Sequence, residues 1–176
     1  MRKEYKMKSI LALKERLTKD NTLVVQNEKG FIMETEFEWQ QPATDEDILN
    51  LENKGITLPD SYKDFLKISN GASLFKDKKY GQWGCKIYGT NELVEINKKI
   101  RLWREKFLDL WLVFATWIGD EDVLIFDMDK YNSGVKKYIL DGDECDSEDE
   151  FCYINGDFEK WIDRLIVSQG SKYWRW

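Results

Sequence analysis

The sequence predicts a single α+β domain, residues 1–176, in which an antiparallel sheet of about five or six strands packs against helices. Three observations carry that prediction. Capped segments with helical spacing recur along the chain, and period-two alternation or short apolar runs fill the stretches between them. The apolar runs of the second half are joined by turns too short for the crossover that parallel strands require. With 176 residues, 42% of them hydrophobic and 34% charged, the chain suits one domain that buries roughly 70% of its unfolded surface.

The first helix is expected over Tyr5–Thr18, because Ile10, Leu11, Leu13 and Leu17 recur at helical spacing among charges. That pattern makes the basic start an amphipathic helix and not a targeting segment. A hairpin follows, with Leu23 to Val25 as one strand, Asn27 to Gly30 as the turn and Phe31 to Trp39 as the return. Phe31, Met33, Thr35, Phe37 and Trp39 alternate onto its core side. Thr44, with Asp47 three residues later, caps a helix over Asp45–Asn53 whose inner side carries Ile48 and Leu51. Gly55 ends it, Ile56 folds back on its last turn, and Pro59 with Asp60 or Ser61 opens a second helix over Asp60–Asn70. Tyr62, Phe65 and Leu66 face inward there, and Gly71 stops it.

Next, Gly81, Gly84 and Gly89 bracket an aromatic, charged loop and a short strand from Cys85 to Tyr88. Their spacing fits neither the dinucleotide nor the P-loop pattern. Thr90 or Asn91 caps a helix over Asn91–Phe107, with Leu93, Ile96, Ile100 and Trp103 at helical spacing. Trp111–Ile118, Val123–Phe126 and Val135–Leu140 form a meander at the centre of the sheet, apolar enough to need cover on both faces. Phe151–Ile154 is a candidate further strand. Asn155 to Asp157 open a last helix over Phe158–Ser168, with Phe158, Trp161, Ile162 and Leu165 on one face and Gly170 as its stop. Tyr173, Trp174 and Trp176 in the tail either fold back on the domain or pair with another chain.

The segment from Trp39 to Gly71 resembles the signature of the Smi1/Knr4 family, the core of the SUKH superfamily. Trp39, Pro42, Ile48, Glu52, Gly55, Leu58, Pro59, Tyr62, Phe65, Leu66, Asn70 and Gly71 follow that family's order and spacing. Beyond Phe75 the likeness is looser. The resemblance implies a sheet packed against helices and a binding role: many bacterial members are immunity proteins that neutralise a cognate toxin, and yeast members regulate cell-wall synthesis. An immunity protein and a regulatory scaffold in cell-wall or stress signalling are the two binding functions it implies.

Composition narrows the chemistry. The chain has no histidine, which removes Ser-His-Asp, Cys-His and histidine-bearing zinc sites. A net charge of −6 argues against direct nucleic-acid binding and favours a basic partner, such as a nuclease toxin. Three cysteines, an odd number, fit reduced thiols, and with no apolar run of membrane-spanning length a cytoplasmic location is expected. Asp127 and Asp129, with Asp141 or Asp143, offer a carboxylate-based metal-dependent hydrolase as the enzymatic alternative, but no activated nucleophile or oxyanion donors accompany them. The acidic run Asp141–Glu150 fails the calcium-loop pattern at Cys145 and Asp146, so neither metal nor cofactor is expected.

A fold whose helices are committed to packing must draw specificity from loops and sheet edges. The expected partner surface is therefore the loop with Tyr80 and Trp83, the turn with Asp120, Glu121 and Asp122, and the acidic segment with Asp143, Glu144 and Asp146. Its aromatics would anchor a partner and its carboxylates would steer one. The expected assembly is a monomer, or a weak homodimer through the aromatic tail.

Overall fold

Each strand of the chain pairs with the next one in sequence. The computed structural model describes residues 6–104, 106–120, 122–143 and 147–176. Among them α1 (Lys8–Arg16), β1 (Thr22–Gln26), β2 (Ile32–Trp39), α2 (Asp45–Asn53), α3 (Asp60–Leu66), β3 (Ala72–Asp77) and β4 (Cys85–Ile87) make the first half. The second half contains α4 (Thr90–Trp103), β5 (Trp111–Trp117), β6 (Val123–Asp127), α5 (Met128–Asn132), β7 (Ile139–Gly142), β8 (Cys152–Ile154) and α6 (Phe158–Val167). The sheet has eight strands in the order β1 to β8, every neighbouring pair antiparallel.

The α+β class is as the sequence implies, with more strands than the expected five or six. The missed strand is β3, which carries only four consecutive buried residues before Lys76 and is bent at Phe75. Phe75 has φ 55°, and the β2–β3 register slips beside it, between Glu36 and Glu38. This bulge turns the Phe75 ring onto Phe37, with centroids 4.9 Å apart. Two further corrections concern strand positions. Where a strand was expected from Val135, the chain is still in the loop that follows α5, and pairing begins only at Ile139. Phe31 lies in the turn and is exposed, so the inward alternation of β2 starts at Met33.

The cap of α2 forms as its sequence dictates: the Thr44 hydroxyl accepts from the Asp47 amide at 3.1 Å, and the Asp47 carboxylate accepts from the Thr44 amide at 2.8 Å. Pro59, without a side-chain cap, precedes α3, and the Asp60 amide donates instead to the Tyr131 hydroxyl at 3.1 Å. Helix α3 ends at Leu66, short of the expected Asn70, and the Asn70-Gly71 pair serves another contact. Asn70 accepts from the Thr90 amide at 2.7 Å and donates to its hydroxyl at 2.9 Å, pinning the start of α4. A Cβ on Gly89 would lie 2.2 Å from the Asn70 carbonyl, so only glycine lets these backbones meet.

Helices α1, α2, α3 and α6 cover one face of the sheet over a core centred on Tyr62, Phe114, Phe126, Phe158 and Trp161. A smaller core of Phe107, Trp111, Val113, Val123, Ile125, Leu140 and Phe151 lies on the other face, with Ile96 and Ile100 of α4 packed against it. The central strands are thus buried on both sides, as their apolar runs require. Helix α4 keeps most of the expected stripe, with Leu93 buried and Ile96 and Ile100 packed inward, but Trp103 at its end points outward. Asn97 faces inward beside that stripe. Its amide donates to the carbonyls of Leu93 and Val113, each at 2.9 Å, and accepts from the Val113 amide at 2.8 Å. Strand β4 ends opposite Ala115, so a side chain supplies the bonds that a further strand residue would have made.

Candidate functional site

In a strictly meandering sheet, alternate turns fall at the same end. The β1–β2, β3–β4, β5–β6 and β7–β8 connections therefore share one end, and they hold the three segments in which the sequence placed a partner surface. Contacts join them directly. Ile118 donates its amide to the Gly84 carbonyl at 2.7 Å, and a Cβ on Gly119 would lie 2.1 Å from the Gln82 carbonyl. The Trp83 ring meets Trp117 edge to face at 5.8 Å.

The C-terminal tail lies among these turns. Ser171 donates to Glu28 of the β1–β2 turn at 2.7 Å. Lys172 pairs with Asp120 at 2.7 Å and with Asp122, and its ammonium stands 5.1 Å from the centre of the Trp117 ring. Trp174 packs against Trp117, with centroids 5.8 Å apart, and Trp161, at 6.3 Å. Arg175 binds Asp141 with two parallel bonds, Nε at 2.6 Å and Nη2 at 2.9 Å, and also reaches Asp122 at 2.9 Å and Asp143 at 3.1 Å. A guanidinium is suited to such a forked arrangement, and its charge persists at any working pH. Burial pushes the Tyr173 hydroxyl up to about 12.

The structure thus gathers the described members of the predicted surface. Tyr80 is 67% exposed, with Lys79 stacked 4.8 Å from its ring centre. Trp83 is half-buried. Asp120 is half exposed, Asp122 is buried and Asp143 lies at the rim. Glu121, Glu144 and Asp146 lie outside the described residues. Asp141, Lys172 and Arg175, which join these segments, were missed as a unit. The only sequence signal was a tail with two cations in a chain whose acidic segments had no assigned partner. Asp120, Asp122, Asp141 and Asp143 face Lys172 and Arg175, four carboxylates against two cations, so this cluster of six keeps an excess of two negative charges.

The carboxylates of the enzymatic alternative are placed differently from the expected strand. Strand β6 ends at Asp127, which caps α5 by accepting from the Lys130 amide at 3.1 Å and also accepts from the Tyr153 hydroxyl at 2.5 Å. Asp129 belongs to α5, and Asp141 is held by Arg175. Among the described residues no three potential metal-ligating side chains converge, and no helix is long and apolar enough to cross a membrane.

Comparison with known proteins gives a consistent result. The family model described as SMI1 / KNR4 family (SUKH-1) matches residues 42–164. A protein of Bacillus subtilis (strain 168), uncharacterized protein YobM, is 29% identical over 174 residues, covering 96% of this chain and 90% of that one. A second from the same organism, uncharacterized protein YnaB, is 27% identical over 139 residues, covering 78% and 86%.

Proposed function

From its membership of the SMI1/KNR4 (SUKH-1) family, to which this chain belongs, we propose that it is a non-catalytic binding protein of the immunity type that neutralises a toxin by binding it. The observation that supports this reading is the convergence, at one end of the sheet, of loops, exposed aromatics and excess carboxylates. Tyr80 and Trp176, 67% and 75% exposed, are the anchors at that end, and Asp120 is a half-exposed carboxylate there. Trp83 braces Trp117 from below. A basic toxin domain, such as a nuclease, suits the charge: attraction raises the association rate, and salt weakens it. The protein acts where its toxin would act, in the cytoplasm.

The test is rescue of growth in cells expressing the toxin encoded beside this gene, followed by surface plasmon resonance with that toxin. Rescue should fail with Tyr80→Ala combined with Asp120→Lys, and the Asp120 change alone should slow association at low salt. Wild-type binding to a constitutive host protein without rescue would instead favour the regulatory scaffold.

A further inference from the structure

Helix α4 ends in a second exposed apolar surface. Leu102 and Trp103 are 84% and 78% exposed, and Leu108 and Leu110, in the loop returning to β5, are also exposed. Arg101 ties that loop to the last turn of the helix by donating to the carbonyls of Asp109 at 2.9 Å and Trp111 at 2.8 Å. The four side chains therefore stand on adjoining segments. Beside Leu110 is a hollow of about 280 Å³, lined by Ile56, Arg101, Asp109, Trp111 and Met128. A single exposed leucine is ordinary, but adjacent Leu and Trp side chains left in water mark a contact surface.

The neighbouring charges set what can cover it. From Glu95 to Leu110 the sequence has Lys98, Lys99, Arg101, Arg104 and Lys106 against three acids, Glu95, Glu105 and Asp109. Lys98 and Lys99 are one turn before Leu102 and Trp103 on the same exposed stripe. Lys98 reaches Glu95 at 3.3 Å with both side chains in solvent, a pair that a competing carboxylate displaces easily. Among the described residues Lys99 has no carboxylate partner. Lys106 pairs with Asp149, again in solvent. A second copy fits poorly: a two-fold axis through Leu102 and Trp103 runs two α4 helices antiparallel and brings Lys98 and Lys99 toward the other copy's Lys106. An anionic bilayer would repel a chain of net charge −6.

We propose that the C-terminal end of α4 docks a second protein whose contact region is an apolar groove rimmed with carboxylates. Trp103 and Leu102 fill the groove, and Lys98 and Lys99 select the sign of its rim. This surface adjoins the acidic end where Arg104 donates to the Asp143 carbonyl at 3.3 Å. It requires the opposite charge in its partner and does not rest on the acidic end being a binding site.

The test follows the indole N–H signals of the full chain by NMR, with the Trp103 signal identified by its loss in Trp103→Ala. The probes are a synthetic amphipathic peptide with leucine and phenylalanine on one face and glutamate at its flanks, the same peptide with lysine for glutamate, and phosphatidylglycerol vesicles. The glutamate peptide should shift the Trp103 signal, bind at least tenfold more weakly to Trp103→Ala and at least fivefold more weakly to the Lys98→Glu, Lys99→Glu variant. The double charge variant should melt within a degree or two of wild type, separating lost recognition from lost folding. Equal or tighter binding of the lysine peptide, preference for vesicles, or no shift with any probe would overturn the proposal. So would a Trp103-dependent dimer in analytical ultracentrifugation.

Discussion

The tail and the end of α4 both set tryptophan beside lysine and arginine, and they differ in what covers them. In the tail, Lys172 and Arg175 meet Asp120, Asp122, Asp141 and Asp143, and Trp174 packs against two other indoles. At α4, Trp103 touches little and Lys99 lacks a described carboxylate partner. The same residue types close one surface and leave the other open. The cause is topology: the tail leaves α6 and crosses the end of the sheet where acidic turns gather, whereas the last turn of α4 holds Leu102 and Trp103 in solvent.

The largest effect should come from Trp174→Ala. Removing a side chain wedged between Trp117 and Trp161 should lower unfolding free energy by about 3 kcal/mol in urea titration, and a loss near zero would mean that the tail is not closed. Arg175→Ala should follow, at about 2 kcal/mol, because it takes the forked guanidinium from the buried Asp141 and one of two cations from Asp122, which keeps Lys172. Its partly exposed guanidinium keeps the loss below that of a fully buried pair.

Alkaline melting sharpens the contrast further. The Tyr173 hydroxyl rises from 10.0 to about 12 on folding because it is buried. Its contribution to stability is therefore fully present below pH 10 and is lost as pH climbs through about 12. Melting curves of wild type and Tyr173→Phe should diverge in slope over that interval, and parallel curves would place the ring in solvent. The smallest effect belongs to α4: Leu102→Ser with Trp103→Ser should change stability by no more than about 0.5 kcal/mol. A loss comparable to that of Trp174→Ala would mean that the two surfaces are equally closed.

What was legible in the sequence follows a physical pattern. Local chemistry sufficed wherever one segment carried its own instruction. The Thr44 and Asp47 cap, the Gly55 stop and the inward faces of α3 and α6 depend on residues within a few positions of one another. The antiparallel meander was readable because short polar turns leave no other connection. From that order the common end of the alternate turns could have been deduced, and with it the proximity of the Tyr80 loop, the Asp120 turn and Asp143.

Other features needed partners far along the chain. Trp103 has the spacing of a core residue, and Ile96 and Ile100 of the same stripe do pack inward, but at the end of α4 Trp103 faces water. Phe75 looks like an ordinary strand residue until its bulge is seen against Phe37 and Gly170. Arg175 reads as a terminal cation, and only the packed tail makes it the common partner of Asp122, Asp141 and Asp143. Sequence determined the elements and their order because hydrogen bonding and apolar periodicity act locally. Tertiary structure alone decided which end of a helical stripe is left in water, the strand bulge and which charges are neutralised, since each depends on residues that the chain brings close only after folding.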